Sequence, residues 1–79
     1  MNDEAILAGI QEVARLHLGW EEPLTPDLRL VEDLRLDSIR LLTLAAEVEN
    51  RFRVVLSETD EAAIVTVGDL VETVRRKLA

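Results

Sequence analysis

The sequence predicts an all-α fold, a small four-helix bundle of three long helices and one short one. Apolar residues recur at helical spacing in three separate segments, whereas no convincing strand pattern competes with them. The one stretch rich in β-branched residues, 53–56, is short and has no evident partner strand. At 79 residues the chain has room for a single core, so we expect residues 1–79 to form one domain.

The first helix is predicted over residues 3–18. Asn2 or Asp3 can cap its start, and the early acidic residues suit the positive end of the helix dipole. Gly19 follows the last apolar position, which is typical of a helix end. The residues of the apolar face are Ile6, Leu7, Ile10, Val13, Ala14 and Leu18.

Residues 19–36 are predicted to be a long connection, because Pro23 and Pro26 would break a helix there. A loop of this length is unusual in a small domain. Apolar residues recur along it, and we therefore expect the loop to pack across the bundle. These residues are Leu24, Leu28, Leu30, Val31, Leu34 and Leu36.

The second helix is predicted over residues 37–52, with Asp37 as the N-cap and Ser38 at the first helical position. Its apolar surface is unusually broad, which predicts neighbours on more than one side. The apolar residues are Ile39, Leu41, Leu42, Leu44, Ala45, Ala46, Val48 and Phe52.

Two further helices complete the bundle. A short one is predicted over 58–64, after a connection at 53–57. The last is predicted over 67–78, where Thr66 and Asp69 have the spacing of a capping box. Basic residues at 75–77 suit the negative end of that helix.

The composition excludes several classes of function. Nine basic and sixteen acidic residues give a net charge of −7, which argues against nucleic acid or an anionic membrane as partner and favours partners with basic surfaces. The chain has no cysteine, so disulfides, thiolate metal sites and a cysteine nucleophile are excluded. No uncharged stretch exceeds seven residues, and we expect a cytoplasmic monomer without a membrane span.

The most informative segment runs from Asp33 to Ile39, where an aspartate and a serine follow a loop and open a helix. A helix N-terminus offers unpaired backbone N–H groups to an anion, so a phosphate ester on Ser38 would be well placed there. Taken alone, however, an Asp-Ser pair is more often a simple cap. On that alternative the chain is an unmodified helical adaptor that binds a partner through its second helix.

The whole chain resembles the acyl carrier protein family, acidic four-helix bundles with an Asp-Ser-Leu motif at the start of the second helix. The motif stands here as Asp37-Ser38-Ile39. Five further segments resemble the family in one register without large gaps. They are Leu18-Gly19-Trp20, the loop segments 24–27 and 31–34, Glu47 to Phe52, and Ile64 to Leu70.

The resemblance implies a covalent carrier rather than an enzyme. A phosphopantetheinyl transferase would attach 4′-phosphopantetheine from coenzyme A to Ser38, with Asp37 beside it, and acyl groups would be carried as thioesters. The implied partners are an acyl-activating ligase, an acyltransferase or a ketosynthase of fatty-acid, polyketide or mixed peptide–polyketide synthesis. Peptidyl carriers usually have Gly-Gly-x-Ser-Leu at this point, so the acyl type is preferred and the peptidyl type is the alternative.

The sequence also departs from the family pattern. Arg35 stands where the family usually has glycine, and Arg40 and Thr43 stand where acidic residues are usual. Residues 37–52 contain three acidic and two basic residues, whereas residues 1–36 contain eight and three. We therefore expect dedicated partners with a different footprint. The expected docking residues are Ile39, Arg40, Leu41 and Thr43.

Several other residues have simple structural explanations. Trp20 is expected to be a partly buried packing residue. His17 has no second histidine or cysteine to share a metal, and the acidic loop lacks calcium-loop spacing, so no metal site is expected. The small Ala45 and Ala46 would allow close helix packing, which we prefer, or would leave room for an attached chain of the kind that the family can fold back between its helices.

Overall fold

The computed structural model describes all 79 residues and contains four helices. They are α1 (Asp3–Leu18), α2 (Ser38–Phe52), α3 (Glu58–Ala63) and α4 (Val67–Leu78). The predicted all-α class and the bounds of the first and last helices are confirmed. The second helix begins at Ser38 rather than residue 37, because Asp37 has extended backbone angles and is its N-cap. The short helix ends at Ala63 rather than residue 64, because Ile64 already has extended backbone angles. The only strand-like feature is an isolated bridge between Arg29 and Thr66.

Local capping explains where the long helices begin and end. The Asn2 side chain accepts the backbone N–H of Ala5 at 2.8 Å and opens α1, and Gly19 ends that helix with a left-handed φ of 68°. Thr66 and Asp69 form the predicted capping box at the start of α4. These bonds satisfy amide groups that would otherwise lack partners at a helix terminus.

Helices α1 and α2 pack antiparallel, and so do α1 and α4. Gly9 of α1 lies against the ring of Phe52, near the end of α2. The guanidinium of Arg75, near the end of α4, donates two hydrogen bonds to the Asp3 carboxylate at 3.0 and 2.8 Å. The core between the helices is built from aliphatic residues, and its fully buried members are Ile6, Ile10, Val48, Val67 and Val74.

The long loop packs across the bundle as predicted, and both side-chain and backbone bonds hold it there. The Gln11 side chain of α1 accepts the N–H of Leu24 at 2.6 Å and donates to the carbonyl of Glu22 at 2.8 Å. Further along, the Leu30 N–H donates to the carbonyl of Val65 at 3.0 Å. Four leucines of the loop are buried in the core, namely Leu24, Leu30, Leu34 and Leu36.

The structure differs from the sequence prediction on one side of α2. Leu44, Val48 and Phe52 are buried, but Ile39 is 73% exposed, Leu42 is 65% exposed, and Ala46 also faces solvent. Successive residues of a helix are rotated by about 100°, so the three exposed residues lie on the side of α2 opposite the buried ones. The other helices and the loop cover only the inner side of α2, so its outer apolar side has no neighbour within the chain.

None of the four helices combines the length and apolarity needed to cross a membrane.

Candidate functional site

Ser38 is the first residue of α2 and is exposed at the surface of the bundle. Its hydroxyl makes no hydrogen bond with any other group of the protein, whereas the capping hydroxyls of Ser57 and Thr66 each accept a backbone N–H. The side chain that caps α2 is instead that of Asp37. Ser38 therefore has a free hydroxyl that an external enzyme can reach.

Asp37 orders the first turn around Ser38. Its Oδ1 accepts the N–H of Arg40 at 2.8 Å, and its carbonyl accepts the N–H of Leu41 at 2.9 Å. The N–H groups of Ser38 and Ile39 have no acceptor within the protein. Two free amides at the positive end of a helix favour an anion, so this turn fits a phosphodiester on Ser38.

The backbone conformation at Arg35 gives a physical reason for the glycine that is usual at this position in similar sequences. Its φ is +61°, in the left-handed region that non-glycine residues rarely occupy. The residues on either side, Leu34 and Leu36, are both buried, and the Leu36 N–H donates to the carbonyl of Leu30 at 3.2 Å. Between these two buried leucines the backbone therefore has a conformation that glycine tolerates best.

The expected docking residues divide into two groups. Ile39 and Arg40 are exposed next to Ser38 on the same helical turn. Leu41 is half-buried against the core, and Thr43 is half-buried with its hydroxyl donating to the carbonyl of Ile39 at 3.1 Å. Leu42 was not among the expected docking residues, although its spacing of three from Ile39 indicates that the two share a face.

A mainly apolar cavity of about 320 Å³ lies beside the first two turns of α2. It extends between that helix, the long loop and the connection that enters α4. Leu41 lines it one turn after Ser38, and Ala45 lines it one turn further on, whereas Ala46 points to solvent. Other residues of the wall are Leu30, Leu44, Ile64 and Leu70.

The remaining candidate residues lie away from this turn. His17 Nε2 is 3.4 Å from Glu47 Oε1, an ion pair between α1 and α2 when the imidazole is protonated. Trp20 is partly buried against the core as predicted, and its indole N–H has no acceptor. Arg29 donates its backbone and side-chain N–H groups to Asp33, and these bonds lower the pKa of that carboxyl. No three metal-binding side chains converge anywhere in the chain.

Nearly the whole chain is similar in sequence to known proteins. Residues 4–74 match the family model described as a phosphopantetheine attachment site. A protein of Mycobacterium leprae named meromycolate extension acyl carrier protein is 32% identical over 77 residues, which cover 96% of this chain and 67% of that protein. An acyl carrier protein of Thermotoga maritima is 33% identical over 76 residues, covering 95% of this chain and 94% of the other.

A solved structure agrees with the sequence comparisons. It comes from Mycobacterium tuberculosis, is described as an acyl carrier protein, and superposes with a TM-score of 0.75 at 36% sequence identity. The alignment covers 94% of this chain and 95% of that one, so the whole bundle is shared.

Proposed function

This chain belongs to the acyl carrier protein family, whose prosthetic group is 4′-phosphopantetheine, and on that premise we propose that Ser38 is the residue that carries the group. The arm, when bound, supplies the thiol on which acyl groups are held as thioesters. On this proposal the chain presents the acyl group, and partner enzymes catalyse the later reactions.

One observation carries the assignment to Ser38. Its hydroxyl is exposed and unbonded at the start of a capped helix, beside two amides without acceptors. A phosphate attached there would receive two backbone N–H groups and the positive end of the helix dipole. The chain's other exposed serine, Ser57, has its Oγ engaged by the N–H of Asp60 at 3.1 Å.

For the modification, this chain supplies the acceptor hydroxyl and the turn that positions it. As the Ser38 Oγ–phosphorus bond forms, the pyrophosphate bond of coenzyme A breaks and 3′,5′-adenosine bisphosphate leaves. The hydroxyl proton passes to a base of the phosphopantetheinyl transferase. Asp37 acts as a positioning residue, because its carboxylate holds the first turn in place through Arg40 N–H.

The partners follow from the carrier function. We propose that residues 1–79 act as one carrier domain, a monomer that docks through Ile39 and Arg40, with Leu41 and Thr43 at the margin of the contact. The docking enzymes would be an acyl-activating ligase, an acyltransferase or a ketosynthase of a dedicated lipid or polyketide pathway. Relatives named for meromycolate extension support a specialised lipid pathway.

The cavity beside α2 is a candidate for the first part of the acyl chain. Most of its wall is apolar, and one of its lining residues, Leu41, lies one helical turn from Ser38. An acyl chain that enters would remove apolar surface from water and so stabilise the bundle.

The test is to incubate the purified protein with coenzyme A and a broad-specificity phosphopantetheinyl transferase and to weigh it intact. We expect the wild type to gain one phosphopantetheine group and Ser38→Ala to gain none. Ser57→Ala serves as the matched control and should be modified like the wild type. A folded wild type that is never modified, beside a control carrier that is, would favour the unmodified adaptor instead.

A further inference from the structure

The outer side of α2 is an apolar stripe that nothing in the chain covers. Ile39, Leu42 and Ala46 follow one another at spacings of three and four, and the first two are 73% and 65% exposed. Together they begin one residue after Ser38 and continue for two turns. Solvent-facing apolar residues of this kind, side by side on one helix face, are typical of a contact surface.

The two cations next to this stripe have no ion-pair partner within the chain. Arg35 and Arg40 are exposed and make no salt bridge. Arg51, Arg53 and Arg76 are also unpaired, but they lie at the C-terminal ends of α2 and α4, at the other end of their helices from the turn of Ser38 or on another helix. Four other exposed cations are neutralised by nearby carboxylates. These pairs are Arg15 with Glu12, Arg29 with Glu32 and Asp33, Arg75 with Asp3, and Lys77 with Asp60.

The acidic side chains of the same segment are already engaged. Asp37 accepts the N–H of Arg40, Glu47 faces His17, and Glu49 Oε2 accepts the N–H of Leu56 at 2.7 Å. At the two positions where acidic residues are usual in the family, this chain has Arg40 and Thr43. Residues 35–43 thus contain two arginines and one aspartate, a net of +1 in a chain whose net charge is −7.

We infer that the enzymes acting on this carrier present carboxylate groups around an apolar socket to the start of α2. The inference rests on the proposed carrier function and adds the chemistry of the partner surface. Arginine guanidinium groups pair with carboxylates through two parallel hydrogen bonds, which Arg35 and Arg40 would form with the partner. Ile39 and Leu42 would fill the apolar socket of the partner between its carboxylates. The net charge alone predicts partners with basic surfaces. A contact surface, however, depends most on its nearest charges, because charges beyond a Debye length of about 8 Å are largely screened, and the charged residues next to Ser38 in the chain are Arg35, Asp37 and Arg40.

The test uses a fatty-acid ketosynthase with a basic docking face and a charge-reversed form of that enzyme with glutamates in place of the basic residues. All carrier variants are first loaded to completion with phosphopantetheine, as verified by intact mass, and then acylated. We expect wild type to react poorly with the basic enzyme, and Arg35→Glu/Arg40→Glu to raise kcat/KM by about tenfold or more. With the charge-reversed enzyme the order should invert. Arg40→Glu alone, at an unstrained helical position, should show the same direction.

The matched control is Arg51→Glu/Arg53→Glu, which changes the total charge equally at the other end of α2. It should leave kcat/KM near the wild-type value with both enzymes. Added salt should raise the rate of the wild type with the basic enzyme and lower that of the Arg35→Glu/Arg40→Glu variant. Equal reaction of all loaded variants with both enzymes would overturn the inference. A failure of loading, seen in the mass spectrum before any docking assay, would instead count against the proposed function.

Discussion

The carboxylate of Asp37 accepts the backbone N–H of Arg40 at 2.8 Å and closes the turn on which Ser38 stands. We expect Asp37→Ala to destabilise the protein by about 1 kcal/mol, because the N–H of Arg40 loses its acceptor. For a domain of this size, that loss corresponds to a fall in Tm of about 4–8 °C. Thermal unfolding followed by circular dichroism measures it.

Asp37→Asn separates the cap from the charge. The amide oxygen can still accept the N–H of Arg40, so stability should stay close to that of the wild type. The rate of phosphopantetheine transfer should also be retained in Asp37→Asn and reduced in Asp37→Ala. An Asp37→Ala protein as stable as the wild type would show that the cap contributes nothing.

Arg35 has a left-handed backbone conformation that is strained for a residue with a side chain, and removing this strain should measurably stabilise the protein. Arg35→Gly removes the steric penalty of the side chain, about 1–2 kcal/mol, and loses part of it to the greater freedom of glycine in the unfolded chain. We expect a net gain of about 0.5–1 kcal/mol in the free energy of unfolding, measured by urea titration. Arg35→Ala is the control, since it removes the charge but keeps the strain, and it should not stabilise.

A second residue gives an independent check on this explanation. Arg53 ends α2 with a φ of 58°, and Arg53→Gly should stabilise in the same way. If neither glycine variant is more stable than its alanine counterpart, backbone strain is not the reason for the family's glycine at the position of Arg35.

The long helices were predictable because their boundaries depend on local signals. Asn2, Gly19 and the Thr66–Asp69 pair each act within a few residues of the chain. The Asp37–Ser38 turn was predictable for the same reason, since a cap and the helix it opens are neighbours in sequence.

The open side of α2 could not be predicted in the same way. A broad apolar arc indicates that a helix can contact several neighbours, but the number of neighbours depends on how the remote segments fold. The loop was predicted to pack across the bundle, but its attachment points were not. Backbone hydrogen bonds such as Leu30 N–H to the Val65 carbonyl do not depend on side-chain type, so they cannot be predicted from it. The left-handed conformation at Arg35 was hidden because glycine, the residue that normally indicates it, is absent.

Asp60 gives the clearest dependence of stability on pH. Its hydrogen bond from Lys77 Nζ, 2.7 Å away, and those from Ser57 lower its pKa from 3.8 to about 2. Because the folded-state pKa lies below the unfolded one, the ionised form stabilises the protein at neutral pH. That contribution is lost as the pH falls through 3.8 toward about 2.

The variant Asp60→Asn isolates this effect. The difference in unfolding free energy between wild type and Asp60→Asn should be constant near neutrality and shrink as the solution becomes acidic, as urea titrations at several pH values would show. A difference that grew in acid would contradict the assignment.

The cavity beside α2 leads to a prediction about acylated protein. If the acyl chain enters between Leu41 and Ala45, an octanoyl thioester should raise Tm above that of the free thiol form by burying apolar surface. Ala45→Leu fills part of the cavity and should abolish that increment, whereas Ala46→Leu on the solvent side should preserve it. An octanoyl form with the same Tm as the thiol form would place the chain outside the bundle.

The contact between Gly9 and Phe52 should limit what α1 tolerates at its centre. A Cβ on Gly9 would lie 2.5 Å from Cζ of the buried Phe52 ring, so Gly9→Ala forces the ring or the helices to move. Overpacking of this kind costs about 1–3 kcal/mol, whereas alanine improves a helix by about 0.5–1 kcal/mol over glycine. We therefore expect a net loss of about 1 kcal/mol in the free energy of unfolding.

A double-mutant cycle with Phe52→Leu tests the cause of that loss. Leucine lacks the ring atoms nearest to Gly9, so the methyl group introduced by Gly9→Ala would then find space between α1 and α2. In that background the same substitution should be neutral or stabilising, because only the gain in helix propensity remains. Urea titrations of the four proteins give the coupling energy, and additive effects would show that Phe52 is not what excludes a side chain at position 9.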